Sequence, residues 1–185
     1  MPIVDWLKRV CCVSEFIERD IDDDLLEAIV EAASWAPSAA DAQPWEIIAV
    51  RRPAGKEAIA GTLLDSLLRP DTGGEARRTW VTQAPVLLVV CLDCLRARAR
   101  YGPIGEELFG IQDTGAAIQN MRLVALEHGV KSCLIREFDR ARIAEWLKLP
   151  RHVRPLVILA LGYSEVEPEP KPGLPLTDYL HREAW

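Results

Sequence analysis

Apolar positions along the chain follow two rhythms, one helical and one extended, and their alternation predicts a mixed order of helices and strands. Leu25, Leu26, Ile29, Val30 and Ala33 lie on one helical stripe, preceded by Asp22, Asp23 and Asp24. Carboxylates there cap free N–H groups and suit the positive end of a helix dipole. Pro37 ends this helix near Trp35, and Trp45 to Val50 reads as a buried strand closed by Arg51-Arg52-Pro53. A helix is expected from about Lys56 to Leu68, then a loop from Pro70 to Gly74. Pro85 to Leu92 is continuously apolar, as an inner strand would be, and the chain turns around Tyr101 to Gly105. From Glu106 to His128 the apolar positions cover more than one face of a long helix. Such a helix is buried on several sides, including a side at a subunit interface. Ser132 to Ile135 predicts a short strand, Asp139 caps a helix carrying Ile143, Trp146 and Leu147, and Leu156 to Leu161 predicts the last strand. Glu165 to Pro175, rich in Pro and Glu, predicts an extended arm that Leu176 to Leu180 docks on a neighbour.

Length and composition narrow this picture. With 185 residues, 49% hydrophobic and 27% charged, the chain suits a single α+β domain over 1–185. A net charge of -6 argues against a broad nucleic-acid surface, which needs clustered cations. No run approaches the ~20 apolar residues of a membrane helix, and the first ten residues carry no signal-like apolar core. The expected location is cytoplasmic. Five cysteines, an odd number without framework spacing, agree with that.

The segment Ala36-Pro37-Ser38-Ala39-Ala40-Asp41-Ala42-Gln43-Pro44-Trp45 places small and polar residues between a proline that stops a helix and one that starts a strand. On composition alone it is a connector; it is also able to offer backbone N–H groups to a planar ligand. Together with Trp35 it closely resembles the signature of the flavin-dependent nitroreductase family, in which Ala-Pro-Ser precedes Gly-Asn-x-Gln-Pro-Trp. A second similarity runs from Asp113 to Met121 and on through Gly129 to Cys133, where Gly115-Ala116-Ala117 permits close helix approach. A third is Gly162-Tyr163 with Lys171-Pro172. The matched motifs span residues 14–181.

The resemblance implies a central, mostly antiparallel sheet flanked by helices, a long central helix and an extended C-terminal arm. It implies a homodimer that binds FMN at its interface, takes a hydride from NAD(P)H at the flavin N5 and passes two electrons, ping-pong, to a small electron-poor acceptor such as a nitroaromatic or quinone. The flavin carries that chemistry, so no side chain is assigned as catalytic, and no metal is implied. Pro37, Ser38, Ala39 and Asp41 would border the ring, with Asp41 where asparagine is usual. Ile135 and Arg136 fall at the pyrimidine and N5 edge, where glycine is common. Lys171 would hold the phosphate, but Gly173 replaces a second cation. At the N-terminal phosphate motif, usually Arg-Arg-Ser, this chain has Val10, Cys11 and Cys12, with Ser14 where a cation is frequent and Lys8 and Arg9 two residues upstream. The alternative expectation is therefore a repurposed member that binds FMN weakly or takes another ligand.

Cys91-Leu92-Asp93-Cys94 lacks the second pair a zinc site needs and reads as packing. Cys133 reads as a strand residue, Cys11-Cys12 as a poor metal site, and the scattered histidines show no metal spacing. The six tryptophans read as core and interface anchors.

Overall fold

A computed structural model describes residues 2–64, 74–167, 169 and 173–185, with backbone alone for 74–78. Four strands, β1 (Trp45–Val50), β2 (Val86–Asp93), β3 (Lys131–Ile135) and β4 (Val153–Gly162), form one sheet in the order β1-β2-β4-β3. Every neighbouring pair is antiparallel. The inner strand β2 is wholly buried from Val86 to Leu92, which explains its unbroken apolar run. Its side chains alternate between two cores: Val86, Leu88 and Val90 enter one, Leu87, Val89 and Cys91 the other.

The first core is covered by α2 (Asp23–Glu31) and α6 (Gly110–Glu127), through Leu26 and Ile29 and through Ala117, Ile118, Met121 and Ala125. The second is covered by α3 (Pro53–Ala60), α4 (Gly74–Gln83) and α7 (Arg140–Trp146). Asp22 caps α2 by accepting from Leu25 N at 2.8 Å, and Asp139 caps α7 through Ala141 and Arg142. Gly129, at a φ of 74°, ends α6 and turns the chain into β3.

Several expectations shift. The helix expected over Lys56–Leu68 is α3, which starts at Pro53 and ends at Ala60; residues 65–73 lie outside the described residues. The long helix expected from Glu106 is divided into a π-helical turn, Gly105–Phe109, and α6. Within α6 the close approach is at Gly110, where an added Cβ would meet Leu92 Cδ1 at 2.7 Å, whereas Gly115 faces open space. Helices α1 (Ile3–Arg9), α4 and α5 (Cys94–Tyr101) have no forerunner in the sequence reading. Trp45 is a core anchor, but Trp35 is 80% exposed and Trp185 fully so. A register shift between Val90 and Cys91 pairs Cys91 with Pro155 and bulges β4 at Leu156, beside a proline that has no N–H for the ladder. Beyond β4, the arm starts with Glu167 held by Lys131 Nζ at 2.7 Å, and the described part of 173–185 is exposed around a short turn at Leu176–Asp178. No helix among the described residues is long and apolar enough to cross a membrane.

Candidate cofactor site

The loop between α2 and β1 is held in an unusual backbone shape. Ala40, Asp41 and Gln43 all have positive φ, at 53°, 53° and 44°. Aspartate tolerates that region; alanine and glutamine adopt it only when their surroundings impose it. The imposing contacts are visible. Asp113 of α6 accepts from Ala39 N at 3.0 Å, and Ser38 Oγ accepts from Gln43 N at 3.0 Å. Asp41 Oδ1 accepts from Gln43 Nε2 at 3.2 Å. The Gly-Asn of the resembling signature suits positive φ, so Ala40 carries a conformational cost. Replacing Ala40 with glycine is expected to stabilise the fold by about 0.5–1 kcal/mol, the relief of left-handed strain less the added freedom of the unfolded chain. Denaturant unfolding measures this; a destabilised Ala40→Gly would contradict the assignment of strain.

Pro37, Ser38 and Ala39 line a cavity of about 540 Å³ with Tyr101, Gln112 and Asp113. A second cavity, of about 410 Å³, opens on the neighbouring face of α6. Leu134, Leu156 and Val157 give it an apolar sheet side, while Arg122, Arg136 and Arg140 give it a cationic side. That pairing fits a planar aromatic group bearing an anion.

The sequence candidates distribute unevenly over this geometry. Ile135 is buried in the second core at the end of β3, and Arg136 follows it, exposed, on the second cavity. Lys8 and Arg9 lie exposed on α1, Lys8 paired with Asp5 at 3.6 Å and Arg9 over the Trp6 ring. Neither lines either cavity. Ser14 is exposed, and Lys171 lies outside the described residues. Cys12 is joined to Cys133 in a disulfide across 121 residues, with Cα atoms 4.4 Å apart. Cys133 does sit in a strand, but as a cross-link. The same segment runs parallel to β3, with Cys12 bridging Ser132 and Val13 N donating to Ser132 O at 3.1 Å.

Two arginines escaped the sequence reading. Arg122 of α6 donates from Nε to Ser132 Oγ at 3.1 Å, from Nη1 to Gln119 Oε1 at 3.3 Å and from Nη2 to Cys11 O at 3.4 Å. It thus reaches the segment where the phosphate motif would lie. Its signal was available: it is the sole Lys or Arg of α6. Arg96 of α5 donates from Nη1 to Gln43 O at 2.9 Å, from Nη2 to Trp45 O at 3.2 Å and to Glu46, and from Nε to Asp93 Oδ2 at 3.0 Å. It clamps the exit of the signature loop. No sequence signal marks this role, because the contacts span about fifty positions.

Cys91 and Cys94 are not poised as nucleophiles. Burial, reinforced by Glu46, pushes the Cys91 thiol up to about 12. Cys94 is also raised, first by burial and then by a hydrogen bond to Glu106. Among the described residues, no three His, Cys, Asp or Glu side chains gather as metal ligands.

The sequence profile of the Nitroreductase family matches residues 8–163. An NADH dehydrogenase of Thermus thermophilus is 31% identical over 95% of this chain and 95% of its own. An FMN reductase [NAD(P)H] of Bacillus subtilis is 25% identical over 94% of this chain and 70% of its own. The crystal structure of a nitroreductase family protein from Streptococcus pneumoniae TIGR4 superposes with a TM-score of 0.84 at 21% identity, over 98% of this chain and all of that one.

Proposed function

The chain belongs to the Nitroreductase family, and on that footing we propose that it is an FMN-dependent, NAD(P)H-oxidising reductase of small electron-poor acceptors such as nitroaromatics and quinones. The observation that carries the reading is the strained loop at Ser38–Gln43, pinned by Asp113 and Arg96 on one face of α6, with a cavity of apolar and cationic sides on the neighbouring face. Bound flavin would supply two-electron chemistry, accepting a hydride equivalent from NAD(P)H and returning the electrons to the acceptor. The protein's part is binding and exclusion of water. Pro37, Ser38, Ala39 and Asp41 border the ring in this proposal, and the backbone at Ile135 and Arg136 faces its pyrimidine edge, which leaves the Arg136 side chain free for the cationic cavity. Cys12, Ser14 and Lys171 belong with the phosphate end, and the exposed Lys8 and Arg9 at its outer margin.

A homodimer completes the site in the same proposal. The loop cavity and the cationic cavity open on neighbouring faces of one helix, so a second copy brings the loop of one chain over the cationic cavity of the other. Trp35, Ile104, Leu108 and Ile111, large apolar residues left exposed around α6, are the surface that such pairing would cover. A cytoplasmic setting, with its supply of reduced nicotinamide, suits this reading through the chemistry alone, because the Cys12–Cys133 disulfide withdraws the support the cysteines lent it.

The absorption spectrum of the purified protein tests it. The expected result is a yellow protein whose flavin bands are bleached by NAD(P)H without oxygen and restored by a quinone. A colourless preparation that neither takes up FMN nor oxidises NAD(P)H overturns it and favours the repurposed member.

A further inference from the structure

Arg122 is a cation of α6 with no carboxylate partner among the described residues, although eight ion pairs are formed by them. Its three hydrogen bonds, to a hydroxyl, an amide and a carbonyl, are all to neutral acceptors. A guanidinium has five N–H groups, so one remains uncommitted on each terminal nitrogen. Those two form the fork that matches two oxygens of a phosphate. The three bonds meanwhile hold the group between α6, β3 and the Cys11 carbonyl.

Arg136 and Arg140 border the same cavity. Arg140 lies over the Phe138 ring, while Arg136 makes no ion pair or ring contact among the described residues. Burial and the like charge of Arg136 both weigh against the charged form of Arg122. An anion between the two relieves that repulsion. Placing two unpaired cations on one cavity is unfavourable unless something negative visits it.

We propose that the cavity between α6, β3 and β4 seats a phosphate monoester, with Arg122 as its forked donor and Arg136 as its second cation. This rests on the proposed function in naming the flavin's phosphate as that monoester. It gives the chain a substitute for the cations missing at Val10, Cys11 and Gly173: charge from Arg122 of the central helix and from Arg136 after β3 takes their place.

The test compares FMN with riboflavin, which lacks only the phosphate, by fluorescence quenching on the full-length protein. The parent is expected to prefer FMN, and Arg122→Gln to lose roughly 10–100-fold in FMN affinity while riboflavin changes by less than about threefold, the range of charge-assisted bonds. Arg122→Lys should fall between them, because it keeps charge without the fork. Arg136→Gln, at an exposed position that leaves folding intact, should lose roughly 3–10-fold for FMN alone. An unchanged FMN-to-riboflavin ratio in both glutamine variants overturns the seat and leaves the proposed function standing. If neither flavin binds, the proposed function falls, and phenyl phosphate, a simple monoester, decides the seat by itself. A rise in the parent's Tm that Arg136→Gln lacks supports it; an equal rise in both, or none in the parent, overturns it.

Discussion

Cutting the Cys12–Cys133 bond, by reduction or by Cys133→Ser, is expected to lower the unfolding free energy by about 3–5 kcal/mol. The bond closes a loop of 121 residues, and a cross-link of that span removes a large share of the unfolded chain's freedom, ~4–5 kcal/mol in the chain-entropy account. The native side of the balance adds less, since Val13 N–Ser132 O and the Cys12–Ser132 bridge are the backbone ties beside it. Such a loss is comparable with the whole stability of many domains. Urea unfolding of the parent with and without reductant, and of Cys12→Ser, Cys133→Ser and the double variant, measures it. The two single losses should be similar, and the double variant should lose little more, because both residues act through one bond. A reduced parent within about 1 kcal/mol of the oxidised one would refute the entropic estimate.

This cross-link also shows where sequence reading stops. Spacing offers no cue for a pair so distant, and Cys12 adjoins another cysteine, which draws attention to the wrong neighbour. The strands, by contrast, were open to reading. The apolar run before Leu92 announces a strand covered on both faces, and the aspartates at 22–24 announce the start of α2. Helix α5, Cys94–Tyr101, did not announce itself, because its only buried residue is Ala97 and its surface is arginine-rich. Helix α4 has the same handicap, with a mean composition too polar to show a stripe. At the site, the loop Pro37–Gln43 was legible through its resemblance to a family signature. Its strain was not, since positive φ at Ala40 and Gln43 contradicts the preference of those residue types and is imposed by Asp113 and Ser38. Arg122 and Arg96 looked like ordinary surface cations until the fold brought Cys11 to one and Gln43 to the other.

Arg96 carries the second large expected effect, and it links stability to the site. Its guanidinium joins four acceptors: the carbonyls of Gln43 and Trp45, and the carboxylates of Glu46 and Asp93. Asp93 in turn caps α5, accepting from Leu95 N at 2.9 Å and Arg96 N at 3.0 Å. Burial would raise the Asp93 carboxyl, but the N–H and guanidinium of Arg96, with Leu95 N–H, outweigh it and hold it below the usual 3.8. The sign follows: with the folded value below the unfolded one, this stabilisation is complete above about pH 4 and fades only as pH falls through the lower folded value. At neutral pH the clamp is fully engaged. Arg96→Met should therefore cost about 2–3 kcal/mol, a figure already reduced for the partial exposure of Arg96. The larger consequence is local. Gln43 loses the bond that fixes its carbonyl while keeping an unfavourable positive φ, so the loop gains a reason to relax. Amide exchange across residues 38–46 should quicken, while exchange in the buried centres of β2 and β4 rises only as much as global stability falls. Under the proposed function, FMN and riboflavin affinity should both drop roughly tenfold, because the ring border loosens, and a tenfold loss is about 1.4 kcal/mol of loop ordering now supplied by the ligand. That shared loss separates Arg96 from Arg122, whose replacement discriminates between the two flavins. Arg96→Lys should recover little, since an ammonium cannot reach four acceptors in one plane. Unchanged exchange across 38–46 in Arg96→Met would mean that Asp113 and Ser38 hold the loop unaided, and the clamp would then be a device of the β1–α5 corner alone.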